Sequence, residues 1–379
     1  MTAAPTVIRR WEPALGRFLV YSTKTRRLEV TGSQKRVSDA REVSPEEGAS
    51  TDALTAPMKI FLGLTRACDL NCPFCFARGG EYGSPMTAQT IQQVIRQAAQ
   101  MGVFEVRLTG GEPTVHPDFF EIVASIGRLG MNVSLNTHGS YEPQLLRKLI
   151  TSSVDDVRVS IDGPEELHDA LRGAGTFQRA VEATRRLKAA GKRVRLNTMV
   201  FRDNRDVLDQ IVALAEELGV PVRFCPMRPI GRARRPAFAR AHVFSVEEWH
   251  RIEDDLAGRG LFQKNVSCFS IEDLEDFSRC MGPEAGLDEA HCSSWITQMG
   301  IDPEGETYAG GRIDDVDKSL SVGSVRETPL GELWKRALED VTRRVLPRFP
   351  RCAACDPVRT WQVWLGQLTP RASRSRHLY

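Results

Sequence analysis

Between residues 58 and 228, apolar runs of strand length alternate with amphipathic helical stretches, and this rhythm restricts the chain more than any other feature. The runs are Lys59-Ile60-Phe61-Leu62-Gly63-Leu64, Phe104-Glu105-Val106-Arg107-Leu108, Met131-Asn132-Val133-Ser134-Leu135, Val157-Arg158-Val159-Ser160-Ile161, Val194-Arg195-Leu196-Asn197-Thr198-Met199-Val200 and Val220-Pro221-Val222-Arg223-Phe224. The segments 87–101, 117–129, 142–150, 176–190 and 205–218 between them carry a helical period. Several stop at a glycine (Gly102, Gly130, Gly191, Gly219), the residue that ends a helix most easily. Strands joined by helices form a parallel sheet with right-handed crossovers, so these six units predict an α/β fold, either an open barrel or a doubly wound sheet. Ligands in such folds bind beyond the C-terminal ends of the strands.

The flanks read differently. Arg17-Phe18-Leu19-Val20-Tyr21-Ser22 and Leu28-Glu29-Val30 suggest a short hairpin, followed by a polar linker over about 31–56. After 228 the rhythm stops. Residues 229–379 hold an arginine-rich stretch, an amphipathic helix near 245–257, a hairpin at 296–309, a helix near 329–344 and a cysteine pair, which predicts a smaller α+β unit. The expected domains are therefore 1–56, 57–228 and 229–379, in keeping with a 379-residue chain. Fifty-one Lys and Arg against 49 Asp and Glu leave a net charge of +2, which gives no overall field for nucleic acid or an anionic membrane. No stretch reaches about 18 consecutive apolar residues and the N-terminus lacks an apolar signal core, so a cytoplasmic protein is expected.

In such a compartment nine cysteines are metal ligands, catalytic thiols or small core residues rather than disulfides. Cys68, Cys72 and Cys75 sit in one loop directly after the first strand of the rhythm. Three thiolates can face one metal centre, yet they fall one ligand short of a closed tetrahedral zinc or four-cysteine iron-sulfur site. Thr109-Gly110-Gly111-Glu112-Pro113 ends the second strand, Asn136-Thr137-His138-Gly139 the third, and Ser160-Ile161-Asp162-Gly163 the fourth; His168-Asp169-Ala170-Leu171-Arg172-Gly173 follows.

In that order along the chain, these segments resemble the radical S-adenosylmethionine (radical SAM) enzymes, over residues 58 to about 228. The resemblance implies a partial (β/α)6 barrel of the TIM type. It implies that Cys68, Cys72 and Cys75 hold a 4Fe–4S cluster whose open iron chelates S-adenosylmethionine. Gly110, Gly111, Glu112 and Pro113 would receive the methionine amino group, and Asn136, Ser160 and Asp162 would line the cofactor. Arg172 would pair with the methionine carboxylate, a fork-shaped role that suits Arg, while Phe74 would lie near the adenine and Met227 near the cofactor at the sixth strand's end. Reductive cleavage would give a 5′-deoxyadenosyl radical, with the electron from a flavodoxin- or ferredoxin-type partner. The cofactor carries the hard chemistry.

Beyond the barrel, Phe224-Cys225-Pro226-Met227-Arg228-Pro229-Ile230-Gly231-Arg232-Ala233 resembles the junction into the SPASM or twitch extensions of one radical SAM subgroup, which hold auxiliary clusters. Cys292, the turn Asp302-Pro303-Glu304-Gly305 and the pair Cys352/Cys355 match that pattern, but Gly310 stands near the place of its second cysteine. The ligand set would be Cys292, Cys352 and Cys355 with Cys280 or Cys268; a zinc site using His291, or packed cysteines without metal, are the rivals.

Arg228, Arg232 and Arg234 make a basic segment where substrate should enter, which suits a carboxylate or phosphate. With an auxiliary ligand missing, redox-neutral chemistry on a polar, anionic small molecule is the first expectation: decarboxylation, epimerisation or rearrangement of a sugar acid or nucleoside in natural-product or antibiotic biosynthesis. Only 57 residues precede Met58, fewer than the recognition domain that peptide-modifying members often carry. Maturation of a ribosomal precursor peptide, by crosslinking or epimerisation, is the alternative. A non-catalytic zinc-binding interaction protein is a third reading, but zinc would need none of the ordered cofactor segments.

Overall fold

The computed structural model describes residues 4–33, 37, 39–44, 54–80, 83–227, 231–244, 246–259, 266–267, 297–310 and 320–340. Its first unit is a small sheet of β1 (Val7–Glu12), β2 (Arg17–Ser22), β3 (Arg27–Thr31) and β4 (Ala40–Val43) in the order β3-β2-β1-β4. The expected hairpin is thus the β2–β3 half of something larger. β1 hides from a hydrophobic pattern because it buries cations: Arg10, fully buried, bonds Glu12 at 2.6 Å and the carbonyls of Pro57 and Gly102, and Arg9 bonds Glu42 at 2.7 Å. β4 lies in the segment read as linker and runs parallel to β1.

The main sheet carries β5 (Lys59–Thr65), β6 (Glu105–Gly110), β7 (Asn132–Thr137), β8 (Asp156–Ser160), β9 (Arg193–Val200) and β10 (Val222–Pro226), all parallel and in sequence order. These are the runs expected from the sequence. The helices α1 (Ala88–Gln100), α2 (Phe119–Arg128), α3 (Pro143–Thr151), α4 (Glu165–Arg172), α5 (Thr176–Ala189) and α6 (Leu208–Leu218) return the chain between strands. Their apolar faces meet Ile60, Leu62, Val106, Leu108, Val133, Leu135, Val157, Val159, Leu196 and Phe224, all nearly or fully buried in one continuous core. The alternate residues of the same strands point to the other side and are largely polar: Glu105, Arg107, Ser134, Asn136, Asp156, Arg158, Arg195 and Asn197. That polar concave face is the lumen of a partial barrel, and among the described residues the sheet stays open.

After β10 come α7 (Pro236–His242) and α8 (Val246–Gly258), then β11 (Val266–Ser267), which adds to β10. The hairpin β12 (Gln298–Ile301) and β13 (Glu306–Ala309), strand β14 (Gly323–Ser324) and helix α9 (Leu330–Asp340) form where the sequence places a hairpin, a strand and a helix. Their position is new: β12 pairs parallel with β5, Gln298 to Lys59 through Ile301 to Leu62, so the hairpin continues the barrel sheet into one of ten strands. Among the described residues no helix is long and apolar enough to cross a membrane.

The N-terminal sheet covers the end of the barrel where strands begin. Tyr21 stacks on Phe104 at 4.8 Å and its hydroxyl donates to Asn132 Oδ1 at 2.9 Å, while Arg26 pairs with Glu105 and Arg41 donates to the Leu129 carbonyl. That end is closed, and the C-terminal ends of the strands form the open mouth.

Candidate active site

The loop 66–80 leaves β5 at this mouth and carries Cys68, Cys72 and Cys75, all free thiols. Leu70 N–H donates to Cys68 Sγ at 3.4 Å and Gly79 N–H to Cys75 Sγ at 3.4 Å, so backbone amides already point at the sulfurs. Burial pushes the Cys68 thiol up to about 12, with the charges of Glu112 and Asp69 adding to it, and burial likewise raises Cys72 against the pull of Arg172. Left alone, the loop therefore disfavours thiolates; a cationic metal reverses that logic.

Three braces hold the loop. From the C-terminal hairpin, Glu304 takes both Arg66 Nε (2.7 Å) and its terminal nitrogen, Asp302 lies 3.6 Å from the same guanidinium, and Arg66 also donates to the Ala77 carbonyl. From the short 3-10 turn Gly231–Arg234, Arg232 donates to the carbonyls of Cys72 (3.0 Å) and Gly79, and its N–H to that of Cys75 (2.9 Å). From β7, His138 Nε2 reaches Asp69 Oδ1 at 2.8 Å. Burial opposes protonation of His138, but Glu112 and Asp69 outweigh it and hold its pKa above the ordinary value; the same hydrogen bond holds Asp69 below its own.

The paired glycines at the end of β6 have a steric reason. A Cβ on Gly111 would stand 2.2 Å from the Ala67 carbonyl oxygen and one on Gly110 2.3 Å from that of Thr65, and Gly110 has φ +131°. Only glycine lets this turn lie against the root of the cysteine loop, where Gly111 and Glu112 N–H donate to Thr65 and Ala67. Pro113 opens the 3-10 turn that follows. The buried Glu112 carboxylate accepts from Thr114 N–H and hydroxyl, the Thr137 hydroxyl and His138 N–H, so it ties the ends of β6 and β7 together.

Asp162, fully buried, accepts from Met199 N–H at 2.8 Å and from Arg172 Nε at 2.7 Å. Burial lowers the basicity of Arg172, yet Asp162 and Cys72 outweigh it and hold the guanidinium above its ordinary pKa. Asp162 engages Nε, and the guanidinium carbon lies over the Phe74 ring, 5.4 Å from its centre. Phe74, Phe201, Met227 and Cys72 form a small apolar wall of their own. Ser160 is half-buried at the mouth, and both amide atoms of Asn136 are buried without a hydrogen-bond partner.

Several participants carry no sequence signal of their own. Asp69, Thr114, Thr137 and Asn204 are common polar residues; Asn204 donates to the carbonyls of Asp162 and Met199 and fixes that turn. His168 is fully buried, and its Nδ1 accepts from Asp162 N–H at 3.3 Å. Arg232, expected to face substrate, has its guanidinium engaged by the cysteine loop because the junction folds back on it; Arg234 is exposed. Arg228, Cys268, Cys280, His291, Cys292, Cys352 and Cys355 lie outside the described residues.

Residues 62–215 match the family model of the radical SAM superfamily. A mycofactocin maturase of Mycobacterium ulcerans is 37% identical over 288 residues, spanning 75% of this chain and 76% of that protein. The chain is a radical SAM enzyme. An AdoMet-dependent heme synthase of Methanosarcina barkeri is 35% identical over 326 residues, covering 79% of this chain and 89% of its own. The fold agrees with that of Streptococcus suis SuiB bound to S-adenosylmethionine, with a TM-score of 0.60 at 17% identity over 74% of this chain and 66% of that one.

Membership in the radical SAM superfamily implies a 4Fe–4S cluster and S-adenosylmethionine, and the residues fit both. Three cysteines share one loop among amide donors, burial makes Cys68 and Cys72 hard to ionise without a cation, the Arg172 guanidinium lies close enough to Cys72 and Cys75 to interact with them, and both amide atoms of Asn136 are buried without a hydrogen-bond partner.

Proposed function

We propose that this radical SAM enzyme abstracts hydrogen from a polar small molecule bound in the barrel mouth, leading to decarboxylation, epimerisation or rearrangement. When bound, the cluster and S-adenosylmethionine supply a 5′-deoxyadenosyl radical. The chain's own residues do the rest. Cys68, Cys72 and Cys75 ligate iron, and the fork of Arg172, aimed by Asp162, takes the methionine carboxylate. The Gly110-Gly111 backbone lies against the cysteine loop to receive the amino group, with Glu112 bracing the turn, while Asn136 and Ser160 line the cofactor and Phe74 and Met227 exclude water on the adenine side.

The observation that carries the substrate reading is the lumen. Below the cofactor residues it is lined by arginines and amides rather than by the apolar side chains that fill a closed TIM barrel. The N-terminal sheet sits at the opposite end of the barrel, where a peptide docked on its edge would be a full strand length from the mouth. Maturation of a precursor peptide is the second reading, favoured by the maturase among the relatives.

The test uses anaerobically reconstituted enzyme with S-adenosylmethionine and a reductant, measuring 5′-deoxyadenosine. Stimulation above the uncoupled rate by the small-molecule fraction of a cell extract is expected; stimulation by the peptide fraction alone would overturn the first reading in favour of the second. Iron content addresses the C-terminal cysteines. About eight irons per chain, falling to about four when Cys292, Cys352 and Cys355 become Ala, would establish an auxiliary cluster, and about four in both would exclude it.

A further inference from the structure

We propose that Asp69, held in place by His138, is the charge partner of the α-ammonium group of S-adenosylmethionine. The inference deepens the cofactor reading above, which gives the methionine carboxylate to Arg172 and names no anion for the amino group. Cys68 Sγ, an Asp69 carboxylate oxygen and a ring nitrogen of His138 lie within 4.8 Å of one another, so Asp69 stands beside the first cysteine of the loop. The charges around the loop are divided: Asp69 and Glu112 act on Cys68, whereas Arg172 acts on Cys72 and Cys75. An amino-acid head group carries one charge of each sign, and a site polarised in this way accepts it in one orientation.

Glu112 and Asp162 also act on the cysteines, but neither is open to a ligand. Glu112 is 1% exposed and accepts from Thr114 N–H and hydroxyl, the Thr137 hydroxyl and His138 N–H. Asp162 is fully buried between Met199 N–H and Arg172. Asp69 gives Oδ1 to His138 at 2.8 Å, yet 54% of its side chain remains exposed. His138 fixes this carboxylate: its Nδ1 accepts from Ser140 N–H at 2.9 Å, so the ring proton on Nε2 is the one donated to Asp69. Arg179 acts on Asp69 without forming an ion pair with it, and its Nε donates to Ser140 Oγ at 2.6 Å. A fixed and accessible carboxylate beside the loop is what an ammonium needs, since its three N–H donors can reach that oxygen and the Gly110-Gly111 backbone together.

Full-length enzyme is reconstituted anaerobically, kept without reductant so that nothing is cleaved, and titrated with S-adenosylmethionine and with its 2-hydroxy analogue, in which a hydroxyl replaces the ammonium. Wild type should bind S-adenosylmethionine about tenfold or more tighter than the analogue. Asp69→Asn should weaken S-adenosylmethionine by about that factor and change the analogue by less than about twofold, so that the preference is lost. Asp69→Glu, which keeps the charge, should retain part of the preference, and His138→Phe, which removes the donor that holds Asp69, should lose part of it. Equal weakening of both ligands in Asp69→Asn would mean that Asp69 only shapes the loop and would overturn the assignment, as would an unaltered affinity for S-adenosylmethionine. Iron per chain is measured on every sample; where Asp69→Asn does not load, His138→Phe decides, and an undiminished preference in it overturns the assignment. Wild type that holds iron but binds no S-adenosylmethionine would overturn the cofactor reading and this inference with it, whereas normal wild-type binding with an unaltered Asp69→Asn overturns the inference alone.

Discussion

At the closed end of the barrel Glu105 is surrounded by Arg26, Lys59 and Arg107, and the N-terminal sheet seals the group from water. At the open end Asn136 holds both amide atoms buried without a hydrogen-bond partner, and Arg172 bonds Asp162 through Nε while its guanidinium lies over the Phe74 ring. Both ends bury charge and polarity in the same sheet. Single guanidinium nitrogens are left unbonded at the closed end too, Arg26 Nη1 and Arg107 Nε, but each cation there has the Glu105 carboxylate as its partner, whereas at the open end neither amide atom of Asn136 has a hydrogen-bond partner in the protein, and that is what separates a structural polar cluster from a site.

The sharpest way to break this comparison is to remove the ligand-facing groups of the open end. Replacing Cys68, Cys72 and Cys75 with Ala should abolish 5′-deoxyadenosine formation and remove four irons per chain, with circular dichroism unchanged, because the loop rests on its arginine and histidine braces rather than on the thiols. Retained S-adenosylmethionine cleavage would remove the cysteines from the chemistry.

The closed end should respond the other way. Glu105→Gln leaves Arg26, Lys59 and Arg107 without their common anion, and breaking such a buried pair costs about 3–5 kcal/mol. The thermal midpoint should fall by several degrees in a protein whose iron content and uncoupled cleavage persist below that temperature. An unchanged midpoint would mean that the closed end is not a structural cluster.

How much of this was legible in the sequence depends on which side of a strand a residue faces. The outer faces announced themselves as apolar runs, and the cofactor-end segments as glycines, cysteines and an arginine in fixed order. The lumen did not. Val157-Arg158-Val159, Val194-Arg195-Leu196 and Val222-Arg223-Phe224 read only as strands of the rhythm, because alternation reports that a face is polar but not whether it meets solvent or a lumen. Among the junction arginines, Arg232 shows a related limit: a basic stretch predicts an anion, and its guanidinium donates to backbone carbonyls. The pairing of β12 with β5 and the buried arginines of β1 are long-range choices that no local pattern encodes.

A smaller effect, on the order of 3 kcal/mol at most, concerns His168 beneath the open end. Burial, reinforced by Arg172, lowers its pKa from 6.5 to about 4, so the folded state keeps it neutral where an unfolded chain would protonate it. Between these values the unfolded state binds more protons, so this contribution is complete above pH 6.5 and declines as the pH falls towards 4. His168→Phe, which keeps the contact with Phe177, should flatten the loss of stability over that window in denaturation at pH 7 and pH 4.5. An equally steep loss in the variant would assign the acid sensitivity elsewhere.

The smallest effect tests whether the open end depends on the segment beyond the barrel. Arg232 is half-exposed and donates to the carbonyls of Cys72 and Gly79, so the two flanks of the cysteine loop are held at a fixed separation by one planar fork. Arg232→Lys keeps the charge but offers a point donor that cannot reproduce the two-pronged contact. Since Arg66 and His138 still brace the loop, iron binding should survive, and the expected loss is a few-fold weaker binding of S-adenosylmethionine, measured by titration of the reconstituted enzyme. A charge effect would instead spare Arg232→Lys and appear only in Arg232→Gln. A loss in both variants is the signature of geometry, and it would make the 3-10 turn after β10 part of the cofactor site rather than a connection leading away from it.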